Sequence, residues 1–404
     1  MGAVRLPKPA LTPPVWNQKS QASDIAQGLS DGLKTEAFYA LLERRGFMLN
    51  FAVGPVQMDP LICDLGAEPA PYFRTPEFSR LMLENERMLL EMADAEQGSR
   101  AVFLTGSGTA AMEAAVMAAF TGRDRVLVVN GGSFGARFAQ LCRLHGVPME
   151  EIHLEPGRAL KAEHLAPYEG RGFTGFLVNL CETSTGVAYD LSLIADFCHR
   201  NGLFLIADAI SAFLADPVSM ARFGIDLLLT GSQKALACPP GVSAVVLSPR
   251  AAERAMAAET HCLYLSLKEA LVNGERGQTP FTPAVSILKQ LHLRLNQLQQ
   301  SGGAEAQVRR SADLALDFRE RVADMPFDFL AETPSNAVTA LMPRRGRAYA
   351  VFETLKNEYG MWVCPNGGEL RERVFRVGHL GFLTPEDNAA LESALRALWR
   401  RGML

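Results

Sequence analysis

The sequence contains no continuous apolar run that approaches the ~18 residues of a membrane-spanning helix. Its amino-terminal stretch, MGAVRLPKPALTPPVW, also lacks the apolar centre of a secretion signal. Basic residues are not in excess, since 40 lysines and arginines stand against 44 aspartates and glutamates and the net charge is −4. A protein that binds nucleic-acid phosphates would show basic clusters instead. These absences predict a protein without membrane or nucleic-acid partners.

Cysteine is present, but in no pattern that indicates a disulfide framework or a zinc site. The seven cysteines are odd in number, and none forms a CxxC pair. The histidines do not cluster with them at the spacing of zinc ligands. We therefore predict reduced thiols, no metal site and a cytoplasmic location. The cysteines stand at positions 63, 142, 181, 198, 238, 262 and 364.

Short apolar runs of strand length alternate with amphipathic segments through the middle of the chain. The predicted strands are AVFLT, RVLVVN, GFLVNL, LFLIAD, DLLLTG and SAVVLS. Strands that alternate with helices indicate crossover connections and a largely parallel sheet. DLLLTG and SAVVLS stand too close together for a crossover helix, so we predict that these two strands run antiparallel.

The chain is longer than a single hydrophobic core usually serves, which favours more than one domain. A proline-rich arm with a short helix, TEAFYALLERR, is predicted for residues 1–47. A large α/β domain is predicted for 48–290, and a smaller α+β domain for 291–404. The change of pattern falls at the long helix AVSILKQLHLRLNQLQQ.

Glycine and hydroxyl residues connect the first predicted strand to its helix, in LTGSGTAAMEA. Main-chain N–H groups at a helix N-terminus, with the hydroxyls of Ser107 and Thr109 beside them, form a site for an anion. The string also fits a loose form of the dinucleotide fingerprint, which needs an acidic residue at the end of the next strand. That strand ends in Asn130. The sequence thus favours a phosphate cradle for a different cofactor, and glycine-rich turns without ligands are the ordinary alternative.

Two charged residues follow apolar strands. Asp208 ends LFLIAD, and Lys234 follows DLLLTG in GSQKALACPPG. Taken singly, the aspartate could cap a turn and the lysine could be solvated. Ligands of α/β sheets, however, bind at the carboxyl ends of the strands, and a partly desolvated lysine becomes a neutral amine that attacks carbonyls. A phosphate site, a carboxylate for a pyridine nitrogen and a lysine that forms an imine are what pyridoxal phosphate requires.

With these motifs the chain resembles the class V aminotransferases of fold type I, close to their alanine–glyoxylate (serine–pyruvate) and 2-aminoethylphosphonate–pyruvate members. The resemblance runs from FAVGPVQ to the carboxyl end and leaves out the arm. GSQKALACPPG carries it most specifically, and TGSGTAAMEA, ETSTGV and ADAISAF support it. The resemblance implies an α/β fold with a mainly parallel seven-stranded sheet, a smaller C-terminal α+β domain, and a homodimer with active sites at the subunit interface.

The resemblance also implies roles for individual residues. Lys234 corresponds to the Schiff-base lysine, and Asp208 to the partner of the pyridine nitrogen. The other residues expected at the cofactor are Ser107, Gly108 and Thr109 in the phosphate loop, Gln233 at the phosphate, Phe134 on the ring, Thr183 at the phenolic oxygen, and Thr282 at the phosphate of the other subunit's cofactor. Phe134 replaces the tryptophan or tyrosine that is common in the family, so stacking is kept and a hydrogen bond from the ring edge is lost.

Three further residues correspond to positions near the substrate. Arg376, in ELRERVFRVGHLG, matches the arginine that binds the substrate carboxylate with a planar pair of hydrogen bonds. Gly54 belongs to a glycine–proline loop beside the substrate, and Arg74 is expected at the entrance of the site.

The implied activity is a ping-pong transamination with pyridoxal phosphate as the cofactor. A small donor of the alanine, serine or 2-aminoethylphosphonate type passes its amino group to pyruvate or glyoxylate. A lyase or cysteine desulfurase of the same fold is an alternative, but such desulfurases carry a histidine directly before the lysine, where this chain has Gln233. A non-catalytic dimeric binding protein is a second alternative, which the intact lysine, aspartate and arginine disfavour.

Overall fold

The structure is a computed structural model that describes residues 48–259 and 261–404. The predicted arm and its helix TEAFYALLERR lie outside the described residues. In chain order, the strands are β1 (Leu49–Asn50), β2 (Arg100–Thr105), β3 (Val126–Asn130), β4 (Met149–His153), β5 (Gly175–Asn179), β6 (Cys181–Glu182), β7 (Val187–Ala188), β8 (Phe204–Asp208), β9 (Leu227–Gly231), β10 (Val242–Leu247), β11 (Phe327–Phe329), β12 (Val338–Pro343), β13 (Met361–Trp362), β14 (Cys364–Pro365) and β15 (Phe375–Gly378).

The helices alternate with the strands through the first two thirds of the described chain. They are α1 (Pro60–Gly66), α2 (Pro76–Met92), α3 (Gly108–Ala119), α4 (Ser133–Leu144), α5 (Ala162–Leu165), α6 (Leu191–Asn201), α7 (Met220–Phe223), α8 (Pro249–Ala257), α9 (Leu267–Gly274), α10 (Val285–Gln300), α11 (Gly303–Arg321), α12 (Ala348–Tyr359) and α13 (Pro385–Arg400). Two short 3-10 turns, Ala166–Tyr168 and Gly368–Leu370, complete the set.

Seven strands form the central sheet, in the order β2-β10-β9-β8-β5-β3-β4. The strands β9, β8, β5, β3 and β4 pair in parallel, whereas β10 is antiparallel to both of its neighbours. Every residue of β5, β8 and β9 is buried, because helices cover both faces of the sheet. The predicted α/β fold with a mainly parallel seven-stranded sheet is confirmed, and so is the antiparallel arrangement of DLLLTG and SAVVLS.

One strand of this sheet has no counterpart among the sequence predictions. β4, with the sequence MEEIH, pairs with β3 at the edge of the sheet. Ile152 is the buried residue of the strand, and the other side chains are partly or fully exposed. An edge strand with solvated side chains does not show the apolar run by which the other strands are recognised.

A smaller antiparallel sheet, in the order β11-β12-β15-β14, lies in the C-terminal part of the chain. Its core includes residues of α11, α12 and α13. Leu49 and Phe51 pack into the same core, since β1 pairs in parallel with β13. Leu288 and Leu295 of α10 pack instead with the core of the large sheet. The domain boundaries at 47, 290 and 404 stay a prediction.

No helix in the described part of the chain is long and apolar enough to cross a membrane.

Candidate active site

A cavity of about 150 Å³ lies at the carboxyl edge of the large sheet. It is the place where the loops that follow β2, β3, β5, β8 and β9 meet, as expected for a ligand site in an open α/β sheet. Nine of the residues predicted from the sequence line it together: Gly54, Ser107, Gly108, Thr109, Phe134, Thr183, Asp208, Gln233 and Lys234.

The N-terminus of α3 forms one wall of the cavity. Ser107 is the N-cap residue of this helix, but its side chain makes no capping hydrogen bond. Gly108 packs against Ile210, and a Cβ atom at this position would lie 2.1 Å from Ile210 Cδ1. The absence of a side chain at Gly108 therefore leaves room for Ile210 in the loop after β8. The first N–H groups of α3 and the hydroxyl of Ser107 are left to bind an anion.

Asp208 is the last residue of β8 and is almost fully buried. Its Oδ1 atom accepts a hydrogen bond from Ile210 N at 2.8 Å. Burial raises the pKa of this carboxyl to about 6, although the hydrogen bond and the nearby cations oppose the shift. A carboxylate in this position is stabilised by a cation brought into the cavity.

Lys234 lies just beyond β9 and also faces the cavity. Burial lowers the pKa of its ammonium group, which favours the neutral amine. Within the residues that the structure describes, its side chain makes no hydrogen bond or ion pair. Gly54 packs against it so closely that a Cβ atom there would lie 2.9 Å from Lys234 Nζ. The lysine is thus enclosed, available as a nucleophile and as a base, and positioned by the glycine–proline loop.

Phe134 and Thr183 approach the cavity from other loops. The hydroxyl groups of Thr183 and Ser211 are hydrogen-bonded at 2.8 Å. Arg137, which lines the cavity beside Phe134, stacks on that ring at 5.0 Å and donates a hydrogen bond to Thr109 Oγ1 at 3.2 Å. The aromatic side chain is thereby connected with the N-terminus of α3.

Arg376 of β15 is fastened to the edge of this site. Its Nη1 atom donates to Thr183 O at 3.0 Å, and its Nη2 atom donates to Pro365 O at 2.7 Å. Its Nε atom is buried and has no hydrogen-bond partner within the described residues. An unpaired donor on a buried guanidinium is costly unless a ligand satisfies it. The arginine is therefore equipped to bind an anion next to Thr183.

The family of this chain follows from its similarity to known proteins. The family model "Aminotransferase class-V" matches residues 73–354. The chain belongs to the class V aminotransferases. A protein described as the small subunit of a soluble hydrogenase of Synechococcus sp. is 30% identical over 353 residues, which cover 85% of this chain and 91% of that protein. The 2-aminoethylphosphonate–pyruvate transaminase of Pseudomonas aeruginosa is 31% identical over 335 residues, 80% of this chain and 89% of that protein.

Solved structures agree with this family. The alanine–glyoxylate aminotransferase of Nostoc sp. superposes with a TM-score of 0.81 at 26% identity, and the match covers 87% of this chain and 95% of that one. This class V aminotransferase is thus an enzyme of fold type I.

Pyridoxal phosphate is the cofactor of this class V aminotransferase, and the residues at hand fit it. The uncapped N-terminus of α3 offers donors to a phosphate. Gln233 lines the same cavity, and its side-chain amide carries N–H groups that can donate to a phosphate. The buried Asp208 needs a cation, and the side chain of Lys234 makes no hydrogen bond or ion pair with any residue that the structure describes.

Two residues predicted for the site lie elsewhere in this class V aminotransferase chain. Thr282 lines a different, open cavity together with Tyr72 and Phe73. Its expected contact with the other subunit's cofactor stays a prediction. Arg74 donates hydrogen bonds to Gln278 Oε1 at 3.0 Å and to Thr279 O at 2.8 Å, and so holds the segment that precedes Thr282.

The sequence interpretation missed Arg137, Cys181 and Ser211, which also line the cavity. Ser211 lies in the motif ADAISAF, and Cys181 directly precedes the motif ETSTGV. Both residues could therefore have been predicted from their closeness to these motifs. Arg137 lies inside α4, where an arginine in a helical pattern is ordinarily solvated. Its position became visible only with the fold.

Proposed function

We propose that the protein transfers the amino group of a small donor, of the alanine, serine or 2-aminoethylphosphonate type, to pyruvate or glyoxylate. The observation that carries the proposal is that Lys234 and Asp208 face one buried cavity, with Arg376 fastened at its edge. The relatives named above include a transaminase that acts on an aminophosphonate and pyruvate and an aminotransferase that acts on alanine and glyoxylate. They support this donor and acceptor class.

When bound, pyridoxal phosphate supplies an aldehyde that takes up the amino group and a ring that accepts electrons. Ser107, Gly108, Thr109 and Gln233 would hold the phosphate. Phe134 would cover one face of the ring, and Thr183 would donate to its phenolic oxygen. Asp208 would keep a proton on the ring nitrogen, because an ionised carboxylate in a buried site favours a cation beside it.

Lys234 is the residue that we assign to proton transfer. Its neutral amine takes the proton from the α-carbon of the donor, which a charged ammonium group cannot do. Arg376 binds the carboxylate of the amino or oxo acid, or the phosphonate of an aminophosphonate, and so fixes the carbon that carries the amino group near Lys234 Nζ. A second substrate then uses the same arginine, which fits a reaction in two halves with one site.

We also propose a homodimer in which Thr282 reaches the phosphate at the partner's site, and a cytoplasmic location. Thr282 does not line the cavity that holds Lys234, and an open position on the surface of the chain is compatible with a contact across subunits.

The desulfurase alternative is not favoured. A desulfurase needs a reactive thiolate, and the cysteine that lines the cavity is Cys181. Burial raises the pKa of this thiol far above its ordinary value. This environment suppresses the thiolate, whereas nucleophilic cysteines have a lowered pKa.

A donor panel tests the proposal. The holoenzyme is mixed with alanine, serine, aspartate or 2-aminoethylphosphonate, the loss of its visible absorbance is followed, and pyruvate or glyoxylate is then added to restore it. We expect one small donor to bleach the protein and one of the two acceptors to reverse the change. Lys234→Ala should slow the bleaching at least 100-fold, the lower end of what general acid–base catalysis contributes. Lys289→Ala, which removes a lysine paired with Glu68 on the surface, is the matched control. If the Lys234 variant bleaches at the wild-type rate, or no donor bleaches the wild type, the proposal is wrong.

A further inference from the structure

One fully buried carboxylate at the site has no role in the proposed mechanism. Glu182 is the last residue of β6 and has an exposed fraction of 0%. Its Oε2 atom accepts hydrogen bonds from Phe134 N at 3.2 Å, Gly135 N at 3.1 Å and Asn179 Nδ2 at 2.9 Å. Its Oε1 atom accepts from Ser184 N at 3.3 Å and from the Ser184 hydroxyl. Such a set of donors satisfies a buried carboxylate, which can only accept.

The hydrogen bonds to Phe134 and Gly135 make Glu182 the cap of α4. The N-cap residue of this helix is Gly132, which has no side chain to bind the first N–H groups. The Glu182 carboxylate, from a distant strand, accepts these hydrogen bonds instead, and its negative charge interacts favourably with the positive end of the helix dipole. Gly132 allows the approach, since a Cβ atom there would lie 2.5 Å from Glu182 Cδ. The position of Phe134, in the first turn of α4, therefore depends on Glu182.

The carbonyl groups of the two residues after Glu182 accept hydrogen bonds from side chains of the C-terminal part of the chain. Thr183 O accepts from Arg376 Nη1 at 3.0 Å, and Ser184 O accepts from Asn366 Nδ2 at 2.9 Å. Both donors belong to the C-terminal part of the chain. The segment Glu182–Ser184 thus joins the wall that carries Phe134 to the strand that carries Arg376.

We propose that Glu182 is a positioning residue that aligns the aromatic wall of the cofactor cavity with the substrate arginine. It touches neither the cofactor nor the substrate and acts through Phe134 on one side and through Thr183 and Arg376 on the other. The inference rests on the proposed function, because it presumes that Phe134 covers the cofactor and that Arg376 binds a substrate carboxylate. Its consequence is that one buried carboxylate governs the affinity for two different ligands.

Glu182→Gln is the direct test, because it keeps the shape of the side chain but replaces an acceptor with a donor. We expect the dissociation constant of pyridoxal phosphate, measured by titration of the apoenzyme, to rise about tenfold or more, since hydrogen bonds to a charged group are the strong ones. The visible circular dichroism of the bound cofactor should change, because it reports how the ring is held. In the apoenzyme, the amides of Phe134 and Gly135 should exchange with solvent faster. KM for the donor should rise together with the cofactor dissociation constant.

Glu86→Gln is the matched control. Glu86 is another buried carboxylate, which accepts from Ala101 N at 3.0 Å and from Arg100 Nε at 2.7 Å, and it does not line the cavity. This variant should lose stability and keep the cofactor affinity, the dichroism and KM of the wild type. If Glu182→Gln matches the wild type in these three measurements, or if Glu86→Gln changes them equally, Glu182 has no positioning role.

Gly132→Ala provides an independent approach if the glutamine variant does not fold. The backbone of Gly132 is extended, which any residue adopts, so the added methyl group acts by displacing the Glu182 carboxylate and the Ser184 hydroxyl that donates to it. The same rise in the cofactor dissociation constant and in KM is expected, and wild-type values would contradict the inference. Failure of the proposed function is distinguishable, because it would appear in the wild type as an absence of bleaching by every donor.

Discussion

The carboxyl group of Asp208 makes the stability of the cofactor-free protein depend on pH in a specific direction. Burial raises its pKa from 3.8 to about 6. The folded state therefore holds this proton more tightly than the unfolded state does. The free energy of unfolding must fall as the pH rises from the lower value through the higher one. The full difference corresponds to about 3 kcal/mol, at about 1.4 kcal/mol per pKa unit.

Asp208→Asn tests this reasoning, because an amide of the same shape does not titrate. Urea unfolding of the two apoenzymes is measured at pH 5, 6, 7 and 8 and at one protein concentration. Between pH 5 and pH 8 the free energy of unfolding of the wild type should fall by about 1.4 kcal/mol more than that of the variant, since pH 5 lies one unit below the folded-state pKa. The comparison cancels the titrations that the two proteins share.

Asp64→Asn is the control for the removal of one carboxylate, since Asp64 is exposed on α1. This variant should follow the pH dependence of the wild type. Added pyridoxal phosphate should abolish the fall in the wild type's free energy of unfolding between pH 5 and pH 8, because a cation beside the carboxylate favours its ionised form. Equal pH dependence of the wild-type and Asp208→Asn apoenzymes would refute the assignment of a buried, proton-binding carboxyl to this position.

Two further substitutions have expected outcomes at the substrate side of the site. Arg376→Lys should raise KM for the oxo acid about 10- to 100-fold in steady-state assays, because one ammonium group cannot replace a guanidinium that binds Thr183 O and still has an unpaired Nε within the described residues. Arg371→Lys, at an exposed arginine, is its control. An unchanged KM in the Arg376 variant would show that the carboxylate binds elsewhere. Gly54→Ala should lower kcat at least tenfold, because its Cβ would meet the side chain of Lys234 at 2.8 Å. Gly170→Ala, at a left-handed position with open space around it, should cost only about 1 kcal/mol of stability in a urea titration and leave kcat unchanged; equal losses of kcat would mean that strain rather than contact is responsible.

The central strands could be predicted from the sequence because burial on both faces leaves near-continuous apolar runs in β5, β8 and β9. Asp208 at the end of β8 and Lys234 just after β9 line one cavity, because parallel strands bring their carboxyl ends to one edge of the sheet. β4 was missed because an edge strand exposes its side chains. β1 was missed because its pairing with β13 joins segments from opposite ends of the described chain, and no local pattern reports such a contact.

Polar partners inside the site were harder to predict than the site itself. Asp208 and Lys234 stand out because a charge at the end of an apolar run is unusual. Glu182 and Arg137 do not stand out, because a charged residue in a polar loop or on a helix is ordinary until the fold shows it to be buried or turned inward. The sequence therefore indicates which residues carry the chemistry more readily than which residues hold them in place.

The antiparallel strand β10 has a consequence for the time at which the site forms during synthesis. β2 enters the large sheet first along the chain, but β10 is its neighbour in the sheet, and Gly106 N at the start of the anion site binds Gly241 O at 2.9 Å. Strands β3, β5, β8 and β9 can pair as they leave the ribosome, while β2 must wait for a segment made much later. A nascent chain that stops before Val242 therefore has its lysine but not a finished phosphate cradle. We therefore expect the chain to bind the cofactor only after β10 has been made and has paired with β2.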